Sequence, residues 1–202
     1  MRTVGQARLS LQDDFEWRFL CDYSAPLWGT SFEFTQVMPG TYSLSLMLTG
    51  PDSDDFYISE VSLLGRDIGT TLAVGEEPLP GMLDVRLEKG GAVVGVAYDK
   101  AGAGLRGVYT VLVPTDPSRR TDERYLRAVP TAMDGSFALR GVPPGDYLLF
   151  LWPRSDPSAL ASPEVFHQAE RYGQRVRMEK VGEVTVSVSL VAEIERLART
   201  QQ

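Results

Sequence analysis

Apolar and polar residues alternate with a period of two along much of this chain. In "GEVTVSVSLV", Val184, Val186, Val188 and Leu190 share one face, and Thr185, Ser187 and Ser189 take the other. "MLDVRLEK" sets Leu83, Val85 and Leu87 against Asp84, Arg86 and Glu88, and "TYSLSLML" sets Tyr42, Leu44, Leu46 and Leu48 against Ser43 and Ser45. Successive strand side chains point to opposite faces, so each run reads as a strand with one buried and one wet face, as in antiparallel sheets. The pattern predicts strands near 4–11, 15–22, 31–36, 41–48, 56–63, 82–88, 92–98, 107–113, 124–131, 136–140, 146–152, 174–179 and 183–191. Glycine and proline fall between these runs, where turns need them.

Three segments depart from the alternation. In "SPEVFHQAERYG", Val165, Phe166, Ala169 and Tyr172 recur at helical spacing, which predicts a helix over 163–172. Ser162 suits its N-cap, Pro163 its first turn, and Gly173 its stop. In "YLLFLW" both faces are apolar, with Tyr147, Leu149 and Leu151 on one and Leu148, Phe150 and Trp152 on the other. One face belongs to a sheet core. The other would be an exposed apolar patch unless something covers it, so the helix is expected to lie over it. The final "AEIERLARTQQ" reads as a frayed helical tail.

One hairpin pattern is written twice. "SFEFTQVMPGTY" begins at Ser31 and "SFALRGVPPGDY" at Ser136, with Ser31, Phe32, Val37, Pro39, Gly40, Tyr42, Leu44 and Leu46 in register with Ser136, Phe137, Val142, Pro144, Gly145, Tyr147, Leu149 and Leu151. The shared residues have physical roles: Phe32 and Phe137 point inward, each Pro-Gly makes a tight turn, and Tyr42 and Tyr147 start the returning strand. The spacing fits duplication of a small β-sandwich and is too long for a solenoid repeat. The expected fold is therefore all-β: two tandem antiparallel β-sandwiches of prealbumin or Ig-like kind, with one short helix in the second. The expected domains are 1–88 and 89–192, followed by a tail at 193–202.

The second half carries a recognisable motif. Gly95, Val96, Asp99, Gly102, Leu105, Gly107 and Val108, followed by Asp134, Gly135, Phe137, Leu139, Val142, Pro143, Pro144, Gly145 and Tyr147, resemble the pattern of the carboxypeptidase regulatory-like domain. The resemblance covers 89–191 and implies a prealbumin-like β-sandwich. It also implies a role as a spacer or fold-assisting module of secreted or cell-envelope bacterial proteins. The first half keeps "SFEFTQVMPGTY", and its "EVSLLGRDI" looks like the family's ending. The counterpart of the 92–98 strand, however, would precede Met1. Three explanations stand open: truncation of a longer multi-module protein, an intact short domain that fills the gap internally, or a strand donated by another chain.

Composition narrows the chemistry. The chain has 202 residues and a formal net charge of −7, and its only lysines are Lys89, Lys100 and Lys180. No basic run can track a phosphate backbone, so nucleic acid is not an expected partner. No apolar stretch is long enough for a membrane-spanning helix, and no secretory leader is evident in the opening residues. Cys21 is the single cysteine and asparagine is absent, so an intrachain disulfide and N-glycosylation sequons are excluded. His167 is the single histidine, with Glu164 and Glu170 a helical turn to either side; this reads as a solvated helix face rather than a metal site. Asp52, Asp54 and Asp55 in "GPDSDDF" form a weak candidate cation loop whose spacing does not match an EF-hand; Asp13 and Asp14 read the same way. No lysine is expected to face inward beside a buried carboxylate, which argues against a Lys–Asp isopeptide crosslink.

Aromatic residues provide the remaining candidate ligand surface. Trp28, in the expected turn "SAPLWG", and Trp17 can stack on sugar rings if exposed, whereas Trp152 is expected under the helix. The functional expectation is a non-catalytic structural or interaction module of a larger cell-envelope or secreted bacterial protein. No enzyme activity or cofactor is expected. The expected partners are proteins or neighbouring domains, polysaccharide being the alternative, and the location is extracytoplasmic by resemblance.

Overall fold

The computed structural model describes residues 3–12, 22–77, 79–120, 122, 124–153, 159–160 and 162–200. The chain divides into two compact units, Met1–Glu88 and Lys89–Gln202. The first has strands β1 (Thr3–Leu11), β2 (Tyr23–Trp28), β3 (Gly40–Leu48), β4 (Phe56–Leu63), β5 (Arg66–Asp67), β6 (Thr71–Val74) and β7 (Leu83–Lys89). The second has β8 (Gly91–Tyr98), β9 (Tyr109–Pro114), β10 (Arg127–Pro130), β11 (Ser136–Val142), β12 (Gly145–Trp152), β13 (Gln174–Met178) and β14 (Glu183–Ser189), with helices α1 (Pro163–Ala169) and α2 (Ala192–Thr200). The fold is all-β, with two sandwich-like units and two short helices in the second.

The second unit is the more regular. A sheet of order β10-β9-β12-β13 packs on a sheet of order β11-β8-β14. In the latter β8 is central, antiparallel to β11 and parallel to β14. The inward residues Val93, Ala97, Leu112, Phe137, Leu139, Tyr147, Leu149 and Val186 meet in one core. The outward face of β12 is also buried. Its Leu148, Phe150 and Trp152 pack against Val165, Phe166 and Ala169 of α1 and Ile194 and Ala198 of α2. Burying each large apolar side chain in this way contributes roughly 1.5–3 kcal/mol. The expected frayed tail is thus a packed helix, because Ile194 and Ala198 lie one turn apart on a common face.

Local details of α1 differ from the expectation. Ser162 occupies the N-cap position, but its hydroxyl donates to the Glu164 carboxylate at 2.6 Å rather than capping a backbone amide. The helix tightens into a 3₁₀ turn at Glu170–Tyr172 before Gly173. Gly173 has an ordinary negative φ. Its need for glycine is steric, since a Cβ there would stand 2.7 Å from the Phe150 ring.

In the first unit one sheet has the order β2-β1-β3-β6, which matches β10-β9-β12-β13 strand for strand. Strands β3 and β12 begin at Gly40 and Gly145, the same offset as the duplicated hairpin pattern. The other sheet, β5-β4-β7, has no such match. Its hairpin, from "EVSLLGRDI", stands in the middle of the unit, and β7 is the last strand.

In the first unit the structure corrects two strand expectations. Residues 31–36 do not form a strand: Ser31 makes an isolated bridge to Trp28, and 32–38 carry no ladder. The physical reason is a missing partner. The equivalent strand β11 pairs with β8, and no strand equivalent to β8 occurs among the described residues of the first unit. Residues 23–28, expected partly as a turn, form the edge strand β2. Pro26 is tolerated because the edge does not need its missing N–H. The short strands β5 and β6 were not expected from the pattern, and the strand expected at 15–22 falls, apart from Asp22, outside the described residues.

Candidate functional site

The duplicated corner is the best-defined constellation in the chain. Tyr42 and Tyr147 are both fully buried, and each hydroxyl donates to the backbone carbonyl four residues upstream, Met38 and Pro143 respectively, at 2.9 Å in both cases. Each ring also lies over the glycine two residues before it. A Cβ on Gly40 would stand 3.3 Å from Tyr42 Cε2, and one on Gly145 would stand 3.4 Å from Tyr147 Cε2. Gly145 additionally takes a positive φ of 157°, whereas Gly40 does not. Glycine is favoured for different reasons in the two copies: at Gly40 a Cβ would be crowded, standing 2.8 Å from Leu11 Cδ1 as well as close to the Tyr42 ring, whereas at Gly145 the ring contact is ordinary and the positive φ is what favours glycine. Pro39 and Pro144 set up the bend that precedes it. The group is structural: the phenol is satisfied and sealed from solvent.

The first unit contains a cleft of about 1560 Å³. Leu9, Leu27, Leu46, Leu48 and Leu72 line it from one sheet, and Leu83, Val85 and Leu87 of β7 from the other. Phe32, Phe34 and Val37 of the irregular segment close part of its side, with the two phenylalanine rings edge to face at 5.6 Å. Glu33, Glu60, Glu76, Glu77 and Asp84 add carboxylates. Arg86 is the one basic residue among the described lining, paired with Glu60 at 3.1 Å. None of the described lining residues is a histidine, cysteine or lysine. Acids and aliphatic carbons with one committed arginine supply no nucleophile–base pair. What they offer is apolar area inside an acidic surround.

The other candidate residues are dispersed. Trp28 ends β2 and is 43% exposed, beside the turn at Gly29. Trp152 is fully buried beneath the helices, and Trp17 lies outside the described residues, as do Asp13, Asp14 and Cys21. Asp54 and Asp55 stand in a 3₁₀ turn that follows Asp52, where Asp54 accepts a hydrogen bond from Ser53. Among the described residues, no group of three or more His, Cys, Asp or Glu side chains is placed to hold a metal ion. His167 is open to solvent, with Nδ1 3.1 Å from a Glu170 carboxylate oxygen. Lys89, Lys100 and Lys180 are all exposed.

Shifted ionisations fall on structural groups. The Ser136 hydroxyl and amide lower Asp134 below the ordinary carboxylate range, and the Ser118 hydroxyl and amide do the same for Asp116. The Ser162 hydroxyl lowers Glu164. Burial lowers the Arg127 guanidinium, which donates to the carbonyls of Leu126 and Gly141 at 2.9 Å each. None of the four lines the cleft.

Sequence reasoning did not single out the cleft residues Phe34, Val37, Leu83 and Val85 as a site. The signal was present in the apolar positions 32, 34 and 37. They mark an apolar face, and no strand equivalent to β8 covers it among the described residues.

No protein-family model matches this chain, and no curated protein does. Solved structures with similar folds include the minor pilin GBS52 of Streptococcus agalactiae, at 15% identity over 93% of this chain and 82% of that one, with a TM-score of 0.31. A streptococcal ancillary pilin is similar at 13% identity over 94% and 62%, with a TM-score of 0.35. The shaft pilin spaA of Lactobacillus rhamnosus GG is similar at 8% identity over 94% and 89%, with a TM-score of 0.31. A likeness this distant has no bearing on function, which has to be read from the chain's own residues.

Proposed function

We propose that this chain is a tandem of non-catalytic β-sandwich modules, 1–88 and 89–192, that serves as a structural and interaction unit of a larger bacterial cell-envelope or secreted protein. The second module is assigned to the carboxypeptidase regulatory-like kind, and the first is a diverged copy. The observation that carries this reading is the repeated corner. The same Tyr-to-carbonyl bond and the same ring-over-glycine contact lock both units, so the duplicated residues serve packing rather than chemistry. The motif residues of the second half support it. The Asp99 carboxylate holds the amides of Ala101 and Ala103 at 2.8 and 2.9 Å, and Phe137, Leu139, Val142 and Tyr147 are core. The family resemblance supports an extracytoplasmic location.

Tryptophan-fluorescence titration against common polysaccharides tests the proposal. Flat titrations are the expected outcome. Saturable binding that disappears in Trp28→Ala would overturn it in favour of a carbohydrate-binding module.

A further inference from the structure

We propose that the first unit is a strand acceptor. Its cleft takes an added extended strand, made of alternating small apolar residues with basic flanks, between residues 32–37 and the edge of β7 that carries no strand among the described residues. The proposal rests on the module reading above and names that module's partner.

The second unit shows what belongs in such a place. There β8 stands between β11 and β14, and its Val93 and Ala97 are fully buried. Phe137 of β11 faces Gly95, and Leu139 faces Val93. In the first unit Phe32 holds the position of Phe137, and Phe32, Phe34 and Val37 keep an inward, half-buried arrangement without any ladder. Strand β7 pairs with β4 on one side. The β4–β5 hairpin runs on into β6, with the Ile68 amide donating to Val61 and the Leu44 amide to Thr70 at 2.8 Å each. This places β4 on the β6 side of β7. The other edge of β7 carries no strand among the described residues. That edge and the 32–37 segment both line the cleft, and Leu83, Val85 and Leu87 are only half-buried. Two backbone edges without a ladder around an apolar cavity provide the hydrogen bonds and the buried area that strand addition requires.

The same comparison specifies the occupant. A Cβ at Gly95 would stand 3.0 Å from Phe137 and would collide with the Val186 carbonyl. The incoming strand accordingly carries glycine opposite Phe32, with small apolar residues two positions to either side. It runs antiparallel to 32–37 and parallel to β7, as β8 does to β11 and β14. Glu33, Glu76, Glu77 and Asp84 around the cleft favour a segment flanked by Lys or Arg.

The test uses the full chain and a synthetic peptide of the Gly91–Tyr98 sequence with lysines added at both ends. Saturable binding is expected, with amide exchange slowed at 32–37 and 83–87. Replacing the peptide's internal glycine, the counterpart of Gly95, by valine is expected to weaken binding about tenfold or more. The surface variant E76K/E77K, which leaves the core untouched, is expected to weaken the lysine-flanked peptide, and added salt to do the same. Absence of binding, or protection that appears elsewhere, would overturn the strand acceptor. So would slowed exchange at 32–37 that rises with protein concentration without peptide, since that assigns the cleft to a second copy of this chain. Failure here with flat polysaccharide titrations leaves the module reading intact, whereas saturable glycan binding removes the module reading itself.

Discussion

Each unit has its own four-stranded sheet of the same strand order, and the two differ in what faces it. In the second, β8 lies between β11 and β14 and the core closes around Tyr147. In the first, the same four-strand sheet and the same tyrosine corner face a sheet with no equivalent of β8 among the described residues. The consequences run in one direction. Residues 32–38 lose their ladder and an apolar cleft opens. Leu83, Val85 and Leu87 of β7 stay half-buried, where Val186 and Val188 of β14 are buried. Strand structure at "SFEFTQV" and "SFALRGV" is thus a property of the available partner more than of the apolar pattern, which both segments possess. An isolated strand cannot satisfy its own backbone, so the pattern becomes a strand only beside a neighbour.

The largest contrast is expected from the tyrosines. Tyr147→Ala leaves a hole in a closed core and is expected to lower stability by about 3–5 kcal/mol, whereas Tyr42→Ala lies near an open cleft that can relax and is expected to cost about 2–3 kcal/mol. Hydrogen exchange at the amides of β12 and β3 reads each unit separately. Equal losses would mean that the cleft does not soften its surroundings, and the comparison would lose its energetic content.

A smaller effect is expected from converting the second unit toward the state of the first. Gly95→Val pushes a side chain into the Val186 carbonyl and the Phe137 ring. Overpacking of this kind costs about 1–3 kcal/mol. Its signature is specific: amides of Ser136–Val142 should lose exchange protection, as the irregular 32–37 segment predicts, while β12 and β13 keep theirs. If β11 stays protected after β8 is displaced, the missing partner is not the reason that 32–37 is irregular.

Legibility in the sequence follows the same division. The runs around Leu44, Val85 and Val186 announce strands because each has one apolar face, and all three became strands, β3, β7 and β14. The two-faced "YLLFLW" announces its cover, and α1 and α2 supply it. The corner is legible as a pattern but not as a bond, since the Tyr-to-carbonyl contacts arise only once both bends are folded. The short strands β5 and β6 carry too few residues for periodicity to register. Least legible is the cleft. Periodicity says which face of a segment is apolar, but it cannot say whether a neighbour arrives to cover that face.

The smallest effect concerns the turn that leads into each of these segments. In the second unit Asp134 precedes β11 and its carboxylate accepts the Ser136 amide at 2.9 Å. The corresponding position of the first unit is Gly29, which has no carboxylate to offer. The Ser136 hydroxyl and amide favour the charged form of Asp134, so its pKa is lower folded than unfolded. A depressed carboxylate contributes stability that is present above its unfolded pKa and is lost as pH falls through the folded value. Acid titration followed by NMR should therefore move the Ser136 amide together with the Asp134 carboxyl, below the range of ordinary aspartates. Asp134→Asn should abolish that transition, and the Ser31 amide of the first unit should show none at that position. A Ser136 amide that ignores acid would remove the turn from the differences between the two units and leave the pairing partner of this segment as the one that matters.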